Sequence, residues 1–189
     1  MNEAKQEGAA APPTPLRPAA RAPLSASASG WRWLSLSAAV ILVDYLAKAW
    51  IQHHFMLFDR VHVLPVLDII LTYNTGAAFS MLAGGALWVR WLLVLLALVV
   101  SGVLIVWLRR LNGRVHALLC CGLSLIVGGA LGNMLDRVTL GRVVDFVHVH
   151  WGGAYFPAFN VADSAITVGA ALLLIDAWRE SRAAKRLRI

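Results

Sequence analysis

Glutamate is missing from residue 8 through residue 179, and charged residues make up only 14% of the 189-residue chain. Soluble domains carry about 25%. Cysteine is nearly absent too. Cys120 and Cys121 are the only two and are adjacent, which excludes a disulfide framework and gives no C-x-x-C redox or metal spacing. No H-E-x-x-H helix, G-x-S-x-G elbow or glycine-rich phosphate loop occurs. The chain thus carries no zincin, serine-hydrolase or nucleotide-binding signature. Apolar residues fill the gap: 59% are hydrophobic and mean hydropathy is +0.69, against about 45–50% apolar in ordinary soluble domains. The composition argues against both a soluble globular domain and a chain disordered throughout.

Residues 1–30 hold five of the seven prolines and show no apolar periodicity. Such a stretch cannot bury enough surface to order itself and reads as a flexible tail. It is not a signal peptide, because the apolar run starts only near Trp31 and continues too long. Four apolar stretches follow, at about 31–50, 86–108, 115–135 and 159–178. Each is near the roughly 20 residues that cross a bilayer core, and in lipid each must be helical to satisfy its backbone. Tryptophans 31, 33, 50, 88, 91, 107 and 178 fall near the ends of these runs, where amphipathic rings prefer the interface. The fold expected is an all-α membrane protein. It has a disordered tail (1–30), a four-helix domain (31–180) and a basic cytoplasmic tail (181–189).

The net charge of +7 has a topological explanation. Twelve of the seventeen basic residues lie before or at the very start of the first span, between spans two and three, or after span four. The positive-inside rule then places both termini in the cytoplasm and the connections 51–85 and 136–158 outside. No basic face of a soluble domain is present, so no nucleic-acid partner is expected. The outer connections include β-branched runs at 62–73 and 142–151, bounded by bends at Pro65 and Pro157. These predict a small extracytoplasmic β platform.

Seven aspartates occur in the glutamate-free region, and all except Asp176 fall on the outer side. Charges near a membrane are costly and usually functional, so short acids gathered at one depth predict a site at the outer interface. Asp145 and Asp163 are the favoured pair. Their separation of eighteen positions, with Gly152, Gly153 and Pro157 between, allows the chain to fold back. Two neighbouring carboxyls share a proton, so that one acts as base on a water while the other polarises a carbonyl. The local alternative is Asn160 as N-cap with Asp163 three residues into the helix.

Asn133, Asp136 and Arg137 repeat the Asn-x-x-Asp spacing at the end of span three, either as a support for the loop carrying Asp145 or as an exposed helix-end ion pair. Gly128-x-x-x-Gly132 allows close helix approach. Asp44 and Lys48 read as an i,i+4 ion pair with Lys48 snorkelling to the interface, or as a contact to a lipid headgroup or to the active-site surroundings. Asn74 lies in a polar loop able to face a peptide backbone. His148 and His150 beside Asp145, and the adjacent His53 and His54, raise a metal reading that the missing zincin helix disfavours.

Five ordered segments carry a family resemblance. These are Val43-Asp44-Tyr45-Leu46-Ala47-Lys48, Tyr73-Asn74-Thr75-Gly76-Ala77-Ala78-Phe79-Ser80, Gly128-Gly129-Ala130-Leu131-Gly132-Asn133-Met134-Leu135-Asp136-Arg137, Val143-Val144-Asp145-Phe146 and Phe156-Pro157-Ala158-Phe159-Asn160-Val161-Ala162-Asp163-Ser164. Over about 33–180 the chain resembles lipoprotein signal peptidase, also called signal peptidase II, a family of bacterial membrane aspartyl proteases. The resemblance implies a catalytic dyad of Asp145 and Asp163. It implies that Asn74, Gly129, Asn133, Asp136, Arg137 and Asn160 shape or support the site, and that Asp44 and Lys48 have a structural or substrate-positioning role. It further implies a diacylglyceryl-modified prolipoprotein as substrate, cut just before the lipidated cysteine. A monomer in the bacterial inner membrane, among membrane lipid and without metal or cofactor, is expected. The competing classes are a proton-relay transporter, which would spread its acids across the membrane depth, and a non-catalytic factor that binds signal helices.

Overall fold

The structure is a computed structural model that describes residues 29–76 and 87–186. The expected tail, up to residue 28, lies outside the described residues, as do positions 77–80 of the polar-loop motif and the last three residues. Ser29 and Gly30, assigned to the tail from composition, are part of the fold. Gly30 is buried, and its N–H donates to Leu111 O at 2.9 Å. A 3-10 turn at Gly30–Trp33 leads into α1, Leu34–His54. The other helices are α2 at Leu87–Arg110, α3 at Ala117–Leu140 and α4 at Val161–Arg186. All four are long and apolar enough to cross a membrane. α4 runs on through Arg186, so the residues from 181 to that point extend a helix.

α3 is the hub of the bundle and packs against the other three helices. Half of its most apolar stretch is buried, against 17–22% for its neighbours, whose outer faces are lined with exposed leucine, valine and tryptophan. Such outward apolar faces suit lipid, where helix association comes from close packing and buried polar contacts. Glycines provide the close packing. A Cβ at Gly128 would lie 2.8 Å from Val40 Cβ of α1, and one at Gly129 would lie 2.3 Å from the Ala162 carbonyl oxygen of α4. These small residues therefore hold α1 and α4 against neighbouring faces of α3. Gly129→Val is expected to force α4 outward at the turn carrying Asp163. Overpacking costs about 1–3 kcal/mol. The thermal midpoint in detergent checks this, and an unchanged midpoint would contradict it.

The connections after α1 and after α3 form an antiparallel sheet ordered β1-β2-β3-β4. β1 is Arg60–Leu64 and β2 is Leu67–Asn74, joined at Pro65 and Val66. β3 is Val143–Trp151 and β4 is Ala154–Tyr155. Both β-branched runs thus form strands as predicted. Gly141 ends α3 in the left-handed conformation (φ 75°), which glycine adopts without steric cost. That turn sends the chain directly into β3. Ile51 of α1 packs with Leu71, Val144 and Phe146, seating the sheet on the helix ends.

Candidate active site

The first turn of α4 positions two of the predicted residues through a reciprocal cap. Asn160 Oδ1 accepts from the Asp163 N–H at 2.9 Å, and the Asn160 N–H donates to Asp163 Oδ2 at 3.3 Å. The local reading of the Asn-x-x-Asp spacing is therefore correct for this helix. The cap also orients the Asn160 side chain. Its oxygen is committed to the helix, so its NH2 group points away. That group donates to Asp145 Oδ1 at 2.7 Å and also meets Val144 O at 3.2 Å and Asn133 Oδ1 at 3.1 Å. Asn160 is fully buried.

Asn133 completes the bridge from the other side. Its NH2 donates to Asp163 Oδ1 at 2.7 Å, while its oxygen accepts from Lys48 Nζ at 3.1 Å. Two buried amides in mutual contact thus each hold one of the two carboxyls. Strand β3 delivers Asp145 and helix α4 delivers Asp163, so both groups face the junction of the sheet and the bundle.

Asp145 is 3% exposed. Burial, then the nearby negative charge of Asp163, raises its pKa to about 7, against weaker opposing hydrogen bonds from the Asn74 and Asn160 side chains. Asn74 turns its own oxygen to the Gly76 N–H at 2.9 Å. Arg137 spans the same region, donating to Gly76 O at 2.9 Å and to Asn133 O at 3.2 Å. It ties the end of the described polar loop to α3.

Asp44, Lys48 and Asp136 form a buried cluster behind the two amides. Lys48 Nζ lies 2.7 Å from Asp44 Oδ2 and 2.9 Å from Asp136 Oδ2, with its side chain 2% exposed. Asp44 Oδ1 also accepts the Ala162 N–H at the start of α4, and Asp136 Oδ2 accepts the Val144 N–H before Asp145. The i,i+4 pair read from the sequence is present. Snorkelling and a lipid-headgroup contact are not, because the ammonium is directed inward by two carboxylates. The exposed ion pair at the end of α3 is likewise corrected, since Asp136 is buried against Lys48 and Arg137 bonds backbone carbonyls instead.

The six aspartates that the sequence places on one side do not all converge. Asp44, Asp136, Asp145 and Asp163 share one network, whereas Asp59 accepts the Met56 N–H at 2.7 Å. Asp68 lies under two histidines, with His62 Nδ1 at 2.6 Å and His150 Nε2 at 3.3 Å from its Oδ1. The metal reading had grouped His148 and His150 with Asp145. Strand alternation puts those histidines on the opposite face of β3 from Asp145. Sequence reasoning missed the Asp68 grouping, although a hairpin about Pro65 and Val66 pairs His62 with Asp68 in register.

Comparison with known proteins decides the family. A family model described as signal peptidase (SPase) II matches residues 36–179. The chain belongs to the signal peptidase II family. A lipoprotein signal peptidase of Pseudomonas syringae pv. tomato is 51% identical over 152 residues, covering 79% of this chain and 87% of that relative. One of Pseudomonas putida is also 51% identical, covering 80% and 88%. A solved bacterial membrane enzyme superposes with a TM-score of 0.72 at 28% identity, covering 79% of this chain and 89% of that one. A second gives 0.66 at 30% identity, covering 76% and 90%. The chain is thus an aspartic-type peptidase and a multi-pass bacterial membrane protein. The transporter and binding-factor classes fall away.

Proposed function

We propose that Asp145 and Asp163 are the catalytic dyad with which this signal peptidase II removes the signal peptide of a diacylglyceryl-modified prolipoprotein, cutting just before the lipidated cysteine. The observation that carries the assignment is the pair of buried amides, Asn133 and Asn160, each holding one of the two carboxyls, with burial pushing the Asp145 carboxyl up to about 7.

The chemistry follows from one proton shared by two acids. The ionised carboxylate takes a proton from a water as its oxygen attacks the scissile carbonyl carbon. The protonated partner gives its proton to the carbonyl oxygen, forming a neutral gem-diol. Collapse of the diol returns a proton to one carboxyl, the other protonates the leaving amine, and the C–N bond breaks. Asn133 and Asn160 fix the carboxyls, Lys48 orients Asn133, and Asn74 and Arg137 shape the side facing the peptide. Gly129, Asp44 and Asp136 set the position of α4 and of β3.

The site acts from the extracytoplasmic face of the inner membrane, with both termini cytoplasmic. The distribution of lysine and arginine supports this orientation. A diacylglyceryl anchor then brings the scissile bond to the depth of the sheet, with membrane lipid around the signal helix. The enzyme works as a monomer, since both acids and both amides come from one chain.

The test is cleavage of lipidated precursor by purified enzyme in detergent, with the product ends read by mass spectrometry. A product beginning at the lipidated cysteine supports the reading, and cleavage elsewhere overturns it. The same assay gives a pH profile. Because the Asp145 pKa is raised, the pair keeps its single proton up to about pH 7 and loses it above. Activity is expected to fall on the alkaline side with an apparent pKa of about 7, a property of the pair rather than of one residue. A flat profile to pH 9 would contradict a required proton.

A further inference from the structure

The sheet carries a second constellation, away from the dyad. His62 on β1, Asp68 on β2 and His150 on β3 present their ligating atoms within 4.8 Å of one another. Asp68 is fully buried, and its Oδ2 accepts no hydrogen bond from the described residues. A buried carboxylate oxygen without a donor is costly unless something answers it. The Arg60 guanidinium stands 3.6 Å away, too far for a hydrogen bond, on a side chain that is 43% exposed and also lies over Tyr155.

We propose that His62 Nδ1, His150 Nε2 and the Asp68 carboxylate form a binding site for a divalent transition-metal cation of the zinc type, separate from the catalytic centre. Two imidazoles and one carboxylate are a common zinc donor set, with a fourth position left for water. Ligands about 2.0 Å from a tetrahedral ion sit about 3.3 Å apart. His150 Nε2 is already 3.3 Å from Asp68 Oδ1, while His62 Nδ1 is closer at 2.6 Å. The His62 side chain is 74% exposed, so its ring is free to swing back as the cation enters. On binding, the His62 proton resides on Nε2, leaving Nδ1 to donate its lone pair, and Arg60 swings to solvent. His150 is fixed from behind by Tyr155, whose ring lies 5.6 Å away and stacks on His148. An ion here crosslinks three neighbouring strands and fastens the β1–β2 hairpin to the strand that bears Asp145.

The test uses full-length protein in detergent, purified without a polyhistidine tag and titrated with Co2+ as a spectroscopic probe, then with competing Zn2+. Wild type should bind about one Co2+ per chain with the intense visible bands of a tetrahedral site, displaced by Zn2+. His62→Gln/His150→Gln keeps a hydrogen-bonding group over Asp68 and should weaken binding by at least about tenfold. His53→Ala, at the exposed end of α1, should leave it unchanged. Zn2+ should also raise the wild-type thermal midpoint with concentration and EDTA should reverse the shift, a readout that stands even if the double variant folds poorly. Absence of tetrahedral bands in wild type, binding unaffected by the double variant, or a midpoint indifferent to Zn2+ would each overturn the proposal.

Discussion

Asp145→Asn and Asp163→Asn are each expected to reduce cleavage of lipidated precursor by about 10³-fold or more while leaving the protein folded. The magnitude follows from the role. General acid–base groups contribute about 10²–10⁴-fold each, and members of one catalytic unit fail together rather than additively. The double variant should therefore be little worse than either single one. Folding should survive, because asparagine keeps the shape at both positions. At Asp145 the new amide retains an oxygen for the Asn160 NH2. At Asp163 it retains an oxygen for the Asn133 NH2 and gives up only the longer 3.3 Å bond from the Asn160 N–H. The measurement is single-turnover cleavage with thermal midpoints determined in parallel. Near-full activity in either folded variant would remove that residue from the dyad.

Lys48→Met should produce the largest loss of stability. Lys48 is the cation between Asp44 and Asp136, with hardly any of its side chain exposed. Its removal leaves two buried carboxylates facing each other. Breaking a buried pair by deleting one partner costs about 3–5 kcal/mol, because the charge left behind has neither water nor counter-ion. The damage should also reach activity, since Lys48 Nζ bonds the oxygen of Asn133 and Asp44 bonds the first turn of α4. Adding Asp44→Asn to Lys48→Met removes one of the stranded charges and should recover part of the lost midpoint. The thermal midpoints of the single and double variants in detergent check this. A Lys48→Met midpoint matching wild type would mean that the cluster contributes nothing to the fold.

The buried cluster also shows where pattern reading reached its limit. Spacing identified the Asp44–Lys48 pair, because i and i+4 share a helix face. It could not say whether that face met lipid, water or protein. The answer depends on α3 approaching closely at Gly128 and Gly132, which brings Asp136 and Asn133 over Lys48. The same applies to Arg137. Its sequence neighbour Asp136 looked like its partner, yet successive helical residues point in different directions. Arg137 reaches Gly76, 61 residues away, instead.

Four apolar runs of about 20 residues were enough to read four helices, because a membrane core leaves the backbone no other way to bond. Alternating β-branched runs around Pro65 and Pro157 were enough to read a small sheet. Ordered motifs were enough to read the family, with Asp145, Asp163 and Asn160 among them. What required the tertiary structure was which polar groups bond across elements. The Asn133–Asn160 bridge joins residues 27 apart in sequence, the Ala162 N–H meets a carboxylate 118 residues before it, and the Asp68 histidines come from β1 and β3. Local patterns encode which face of an element is apolar. Which polar groups meet is decided by how closely the helices approach and in what register the strands pair, and both are consequences of packing the whole chain at once.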